Sequence, residues 1–122
     1  HAATLNSLGY MYVEDGVNLN EAEKMIRRAI EKEPQNGAYF DSLGWLYYKK
    51  KDYKNADVYL TKALILLKDP IVYEHLGDAS YAAGDEKKSI DYYREGLKYF
   101  PEDEKLQEKL KLYGKDSKPV KK

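Results

Sequence analysis

From Ala2 to Glu14 the apolar residues Leu5, Leu8, Met11 and Tyr12 advance by three, three and one, the stripe of an amphipathic helix, and Gly16 breaks it. Asn20 then stands where an N-cap belongs, with Glu21 and Glu23 in the first turn, where the helix dipole favours negative charge. A second helix is therefore predicted, with Ala22, Met25, Ile26, Ala29 and Ile30 on one face and Lys24, Arg27, Arg28 and Glu31 on the other. Pro34 closes this hairpin.

The same hairpin returns twice. Helices are predicted near 38–50 and 53–67, parted by Lys51-Asp52 with Asp52 as cap. Pro70 suits the first turn of a further helix, and a break at Gly84-Asp85 precedes one bearing Ser89, Tyr93 and Gly96. Each second helix carries small, large and small residues along one face: Ala22, Ile26 and Ala29, then Ala56, Leu60 and Ala63, then Ser89, Tyr93 and Gly96. Small residues let two helices approach closely. Gly96 inside a helix costs about 1 kcal/mol relative to alanine, so the third copy is expected to be the least stable. After Pro101, Leu106, Leu110 and Tyr113 fall on one side of a last helix over 102–113, with Lys105, Gln107, Glu108, Lys109 and Lys111 turned to water, as a capping helix requires. The remainder, 114–122, has too little apolar content to order. Seven helices and no strand are predicted, because every stripe has the 3.6-residue period.

Gly9, Gly44 and Gly77 each follow a leucine and recur 35 and 33 residues apart, a period that marks a solenoid of stacked units. The run of residues resembles the tetratricopeptide repeat (TPR) family, of bacterial type. In the first copy the pattern reads Leu5, Leu8-Gly9, Tyr12, Ala22, Ile26, Ala29, Pro34, and in the second Phe40, Leu43-Gly44, Tyr47, Ala56, Leu60, Ala63. The third keeps Tyr73, Leu76-Gly77, Tyr93 and Pro101 but has Ser80 for the tyrosine, Ser89 for the first alanine and Gly96 for the second. The resemblance implies an all-α fold, a right-handed superhelical solenoid of antiparallel helix hairpins, organised as one array over 2–113 with repeats 2–36, 37–69 and 70–101. It also implies that the first helix of each pair lines a concave groove that holds a peptide or a partner's helix.

Carried over position by position, that geometry nominates as groove residues Asn6, Tyr10 and Val13, then Asp41, Ser42, Trp45 and Tyr48, then Glu74, His75, Asp78 and Tyr81. Trp45 and Tyr48 are three apart on one helical face, distinct from the packing positions Leu43, Leu46 and Tyr47. Family members that grip a peptide's terminal carboxylate gather basic and asparagine residues in the groove. The corresponding places here hold Asn6, Tyr10, Ser42, Ile71 and His75, of which Asn6 alone fits. Asp41, Glu74 and Asp78 would repel a carboxylate, so basic or proline-rich segments are the expected ligands, stacked on the aromatic faces.

Charge and composition narrow the alternatives. The 122 residues carry 21 Lys+Arg against 21 Asp+Glu, so no global basic field holds a phosphate backbone and nucleic acid is not an expected partner. Lys49-Lys50-Lys51 and the tail lysines read as solvated faces. The absence of cysteine removes thiolate nucleophiles and sulfur ligands and suits a cytoplasmic or a periplasmic setting equally. His75 with Glu74 and Asp78 falls short of a zinc set, and no phosphate loop or nucleophile–base pair is present, so neither metal, other cofactor nor catalysis is expected. No stretch approaches a membrane span, and the chain is expected to be soluble. It reads as a piece of a longer polypeptide whose first-helix face, carrying Leu8 and Met11, is left partly uncovered and promotes self-association. The rival to a peptide-binding module is accordingly a structural spacer or self-association segment of a larger repeat protein.

Overall fold

The computed structural model describes residues 1–114, and all regular structure among them is helical. The tail expected to be disordered lies, from Lys115 onward, outside the described residues; Gly114 is the last residue of a helix. No helix among the described residues is long and apolar enough to cross a membrane. The chain divides into two compact units, His1–Lys68 and a second that begins at Asp69.

The first unit holds α1 (Ala2–Asp15), α2 (Leu19–Lys32), α3 (Gly37–Lys49) and α4 (Tyr53–Leu66). Gly16 ends α1 in the left-handed region at φ 70°, its N–H donating to the carbonyl of Val13 at 3.0 Å. The start of α2 differs from the sequence expectation. The N-cap is Asn18, at φ 50° and without a side-chain cap bond, and Asn20 lies inside the helix. Starting at Leu19 packs that leucine against the core, and Asn20 Oδ1 instead accepts from Lys50 Nζ at 3.3 Å. Asp52 caps α4 as its position predicts, accepting from the N–H of Asn55 at 3.2 Å. The core joins Val13, Ala22, Ile26, Leu43, Trp45 and Leu46, and a smaller cluster joins Ala2, Ala29 and Tyr39.

The second unit holds α5 (Pro70–Ala82), α6 (Glu86–Tyr99) and α7 (Glu104–Gly114). Pro70 opens α5 behind Asp69, whose side chain accepts from the N–H of Ile71 at 2.9 Å. Gly84, at φ 94°, and the cap Asp85 divide α5 from α6. A Cβ on Gly77 would lie 2.1 Å from Cε1 of Tyr93, so the ring occupies the space of the missing methyl. Gly96 does the same for α7: a Cβ there would stand 2.8 Å from Cδ1 of Leu106 and 2.9 Å from Cβ of Tyr73. The glycine that lowers helix propensity thus admits the fully buried leucine that anchors the last helix. That helix starts two residues later than predicted, because Asp103 caps it by accepting the N–H of Leu106 at 3.0 Å.

Candidate interaction surface

In the first unit, α1 and α3 position seven of the nominated residues. Asn6 and Tyr10 on α1 are half-buried, whereas Val13 is wholly inside the core. On α3, Asp41, Ser42 and Trp45 are 7%, 3% and 8% exposed, and Tyr48 is half-buried. Ser42 Oγ donates to the carbonyl of Ala38 at 3.2 Å, one helical turn back. Trp45 is a core residue that shows only a rim. Its ring stacks on Tyr48 at 4.1 Å with an interplanar angle of 6°, and Tyr10 packs on the cluster that contains it.

Tyr53, which the repeat pattern does not nominate, comes within 6.0 Å of Tyr48. Its signal in the sequence is its place directly after the Asp52 cap, where a tight turn returns the chain to the end of α3. Asn6 Oδ1 is buried with no hydrogen-bond donor. An orphaned amide acceptor costs about 1–3 kcal/mol.

In the second unit, α5 supplies Glu74, His75, Asp78 and Tyr81. His75 is 4% exposed and leaves little face for a ligand. Among the described residues, no three His, Asp or Glu side chains gather as a metal site would require. Asp78 is engaged from two helices: the Tyr93 hydroxyl on α6 donates to its Oδ1, and Lys109 Nζ on α7 lies 3.0 Å from both carboxylate oxygens. Glu74 Oε2 is 3.9 Å from the same ammonium. Burial, then the neighbouring Asp78, push the Glu74 carboxyl up against the pull of Lys109. Tyr81 stacks on Tyr113 at 4.2 Å.

Lys109 is therefore not turned to water as the sequence suggested; its side chain is 25% exposed and faces the acids of α5. Burial lowers its pKa less than the hydrogen bonds and charge of Asp78 raise it. The signal available in the sequence was the pairing of Lys109 with Tyr113 four residues on, one helical turn apart.

A second polar network lies on α2, α3 and α4, away from the nominated residues. Glu23 Oε2 accepts from the Tyr47 hydroxyl at 2.7 Å and from Arg27 Nε at 2.9 Å, while Lys50 Nζ reaches Oε1 at 3.1 Å. Arg27 also donates to the Tyr47 hydroxyl at 2.9 Å and lies 5.6 Å over the Tyr59 ring. The repeat pattern assigns Tyr47 to packing and the helical stripe places Arg27 outward; the structure joins them through a hydrogen bond.

Comparison with known proteins agrees with the repeat geometry. A family model described as tetratricopeptide repeat matches residues 38–65 and 71–103. A TPR repeat-containing protein of Pseudomonas aeruginosa is 35% identical over 78 residues, covering 64% of this chain and 13% of its own length. Anaphase-promoting complex subunit 7 of Mus musculus is 24% identical over 120 residues, covering 98% of this chain and 21% of its own. The chain thus spans between an eighth and about a fifth of the curated relatives it matches. Among solved structures, the first TPR of Spaghetti bound to an HSP90 peptide superposes with a TM-score of 0.83 at 19% identity, covering 94% of each chain. At that identity the likeness is one of fold.

Proposed function

We propose, from the premise that the chain belongs to the tetratricopeptide repeat family, that it is a non-catalytic protein-interaction module whose first-helix faces hold a basic or proline-rich segment. The observation that carries this reading is the aromatic surface of the first unit, where the Trp45–Tyr48 stack stands with Tyr10 and Tyr53. Flat aromatic faces take guanidinium groups, ammonium stems and proline rings without needing a fixed sequence. Without Val13, which is wholly buried, the nominated set is Asn6, Tyr10, Asp41, Ser42, Trp45 and Tyr48 in the first unit, with Glu74, His75, Asp78 and Tyr81 in the second. Within it, Tyr10, Tyr48 and Asn6 have the accessible surface that direct contact needs, and Asp41 and Ser42 act from beneath it.

A solved relative in this fold carries an HSP90 peptide, SRMEEVD, which is acidic. The carboxylate-gripping set that the family uses for such termini is represented here by Asn6 alone, so a terminal carboxylate meets no matching clamp. Replacing Tyr48 by alanine tests the reading. One aromatic–cation contact contributes about 0.5–2 kcal/mol, so calorimetric titration with a Lys/Arg- and Pro-containing peptide should show roughly fivefold weaker binding. Unchanged affinity would remove the aromatic surface from the account.

A second reading has its own observation. Leu8 and Met11 on α1 are 40% and 58% exposed, whereas Leu43 and Leu46, in the same places of α3, are wholly buried. An exposed face whose counterpart in the next repeat is packed suits self-association. Sedimentation should then show mass rising with concentration and returning to the monomer value on Leu8→Ser with Met11→Ser. A constant monomer mass in both proteins would end that reading.

A further inference from the structure

The aromatic and acidic groups of α5 that the repeat pattern offers to a ligand already have an occupant. Lys109 places its ammonium between the two oxygens of Asp78, both at 3.0 Å, with Glu74 at 3.9 Å. One turn on, Tyr113 lays its ring on Tyr81 at 4.2 Å, and the Lys109 ammonium stands 6.0 Å from the Tyr113 ring centre. A cation and an aromatic, four residues apart on one helix, thus fill a carboxylate pair and an aromatic platform on another. These are the contacts that the preceding section assigns to an external segment.

The wholly buried contact of α7 lies at its start. Its wholly buried side chain is Leu106, in the first turn, seated against Gly96 and Tyr73. The Asp103 cap and the bond from Gln107 Nε2 to the carbonyl of Pro101, 2.8 Å, belong to the same end. Beyond that anchor, Leu112 is 60% exposed, Leu110 is half-buried, the Tyr113 ring also stacks on Tyr93 of α6 at 6.0 Å, and the attachment to α5 rests on the ion pair and the ring stack. A charged hydrogen bond and a stacking contact can be exchanged for equal ones from another molecule, whereas the buried leucine cannot.

We infer that the α5 face is a receptor for a helix presenting a lysine or arginine and an aromatic four residues apart, and that the second half of α7 is its built-in competitor. This rests on the reading of first-helix faces as binding surfaces and adds to it the pattern the second unit selects and a brake on its use. An external segment must displace Lys109 and Tyr113, so its apparent affinity is lowered by the fraction of time that α7 leaves the face open.

The test uses a synthetic helical peptide with the sequence of 104–114, fluorescently labelled, titrated into the full chain and into its Lys109→Ala/Tyr113→Ala variant. Anisotropy should show binding at least tenfold tighter to the variant, and adding Asp78→Asn and Glu74→Gln should abolish the gain. Equal affinity for both proteins, or a gain indifferent to the two acids, overturns the proposal. A measurement on the unaltered chain guards against a variant that misfolds. Saturating peptide should speed amide exchange at Lys109 to Tyr113 while Leu106 keeps its protection; unchanged exchange there overturns the proposal as well. Loss of the Trp45 response to basic peptides is a separate result, which sinks the binding reading of the first unit.

Discussion

Glu23 shows how one side chain on the second helix is fixed by three others. Burial pushes its carboxyl upward, but hydrogen bonds from Tyr47, Arg27 and Lys50 outweigh it and hold the pKa down to about 2. A depressed carboxyl contributes stability that is present above its unfolded value, near 4.5, and is lost as pH falls toward 2. The full linkage would be about 3 kcal/mol, and solvent around the partly exposed Arg27 and Lys50 reduces it to about 1 kcal/mol. Urea melts of Glu23→Gln should therefore lose about 1 kcal/mol at pH 7, with the deficit shrinking as pH falls toward 2; a deficit constant over that range would show that the charge is not what stabilises. This network was not legible in the sequence. Periodicity places Arg27 on the outward side of α2 and Tyr47 on the inward side of α3, but not the ring of Tyr59 or the hydroxyl that bring them together. The family resemblance likewise implies that Asp41, Ser42 and His75 face the groove, and does not say that neighbouring groups leave them buried.

At the scale of helices, the cap expected at Asp52 is present, whereas the one expected at Asn20 gives way to Asn18. Asp52, Asp69, Asp85 and Asp103 each accept a backbone N–H two or three residues on. Asn18 makes no such bond and sits at φ 50° because Leu19 must reach the core, a tertiary demand that overrides the better-looking cap at Asn20. The two sites respond oppositely to substitution. Asp85→Ala should cost about 1 kcal/mol, and Asn18→Gly, which relieves a left-handed backbone, should be neutral or gain a few tenths. Thermal melts of the two variants compare them directly, and a loss at Asn18→Gly matching that at Asp85→Ala would mean the Asn18 side chain holds α2 after all. The small-large-small pattern was legible to the residue, since Ala22, Ile26 and Ala29, then Ala56, Leu60 and Ala63, are wholly buried. The turn of α7 that brings Lys109 onto Asp78 was not, because a stripe fixes which face is apolar and not which charge an adjoining helix offers.

For the molecule as a whole, the seven helices among the described residues follow from the stripes, and the chain belongs to the tetratricopeptide repeat family. The balance of 21 basic and 21 acidic residues leaves local charge, not net charge, to choose the ligand. Because Lys109 already answers Glu74 and Asp78, selection by charge depends on what remains exposed around the aromatic surface of the first unit. The central claim, that this chain captures basic or proline-rich segments on its first-helix faces, is tested most directly by following Trp45 fluorescence. Two peptides of equal length, one rich in Lys, Arg and Pro and the other in Asp and Glu, are titrated at low and moderate ionic strength. The account predicts that the basic peptide perturbs Trp45 with a Kd of about 1–100 μM that rises with salt, and that the acidic one binds at least tenfold more weakly. Equal binding of the two peptides, or tighter binding of the acidic one, would contradict it.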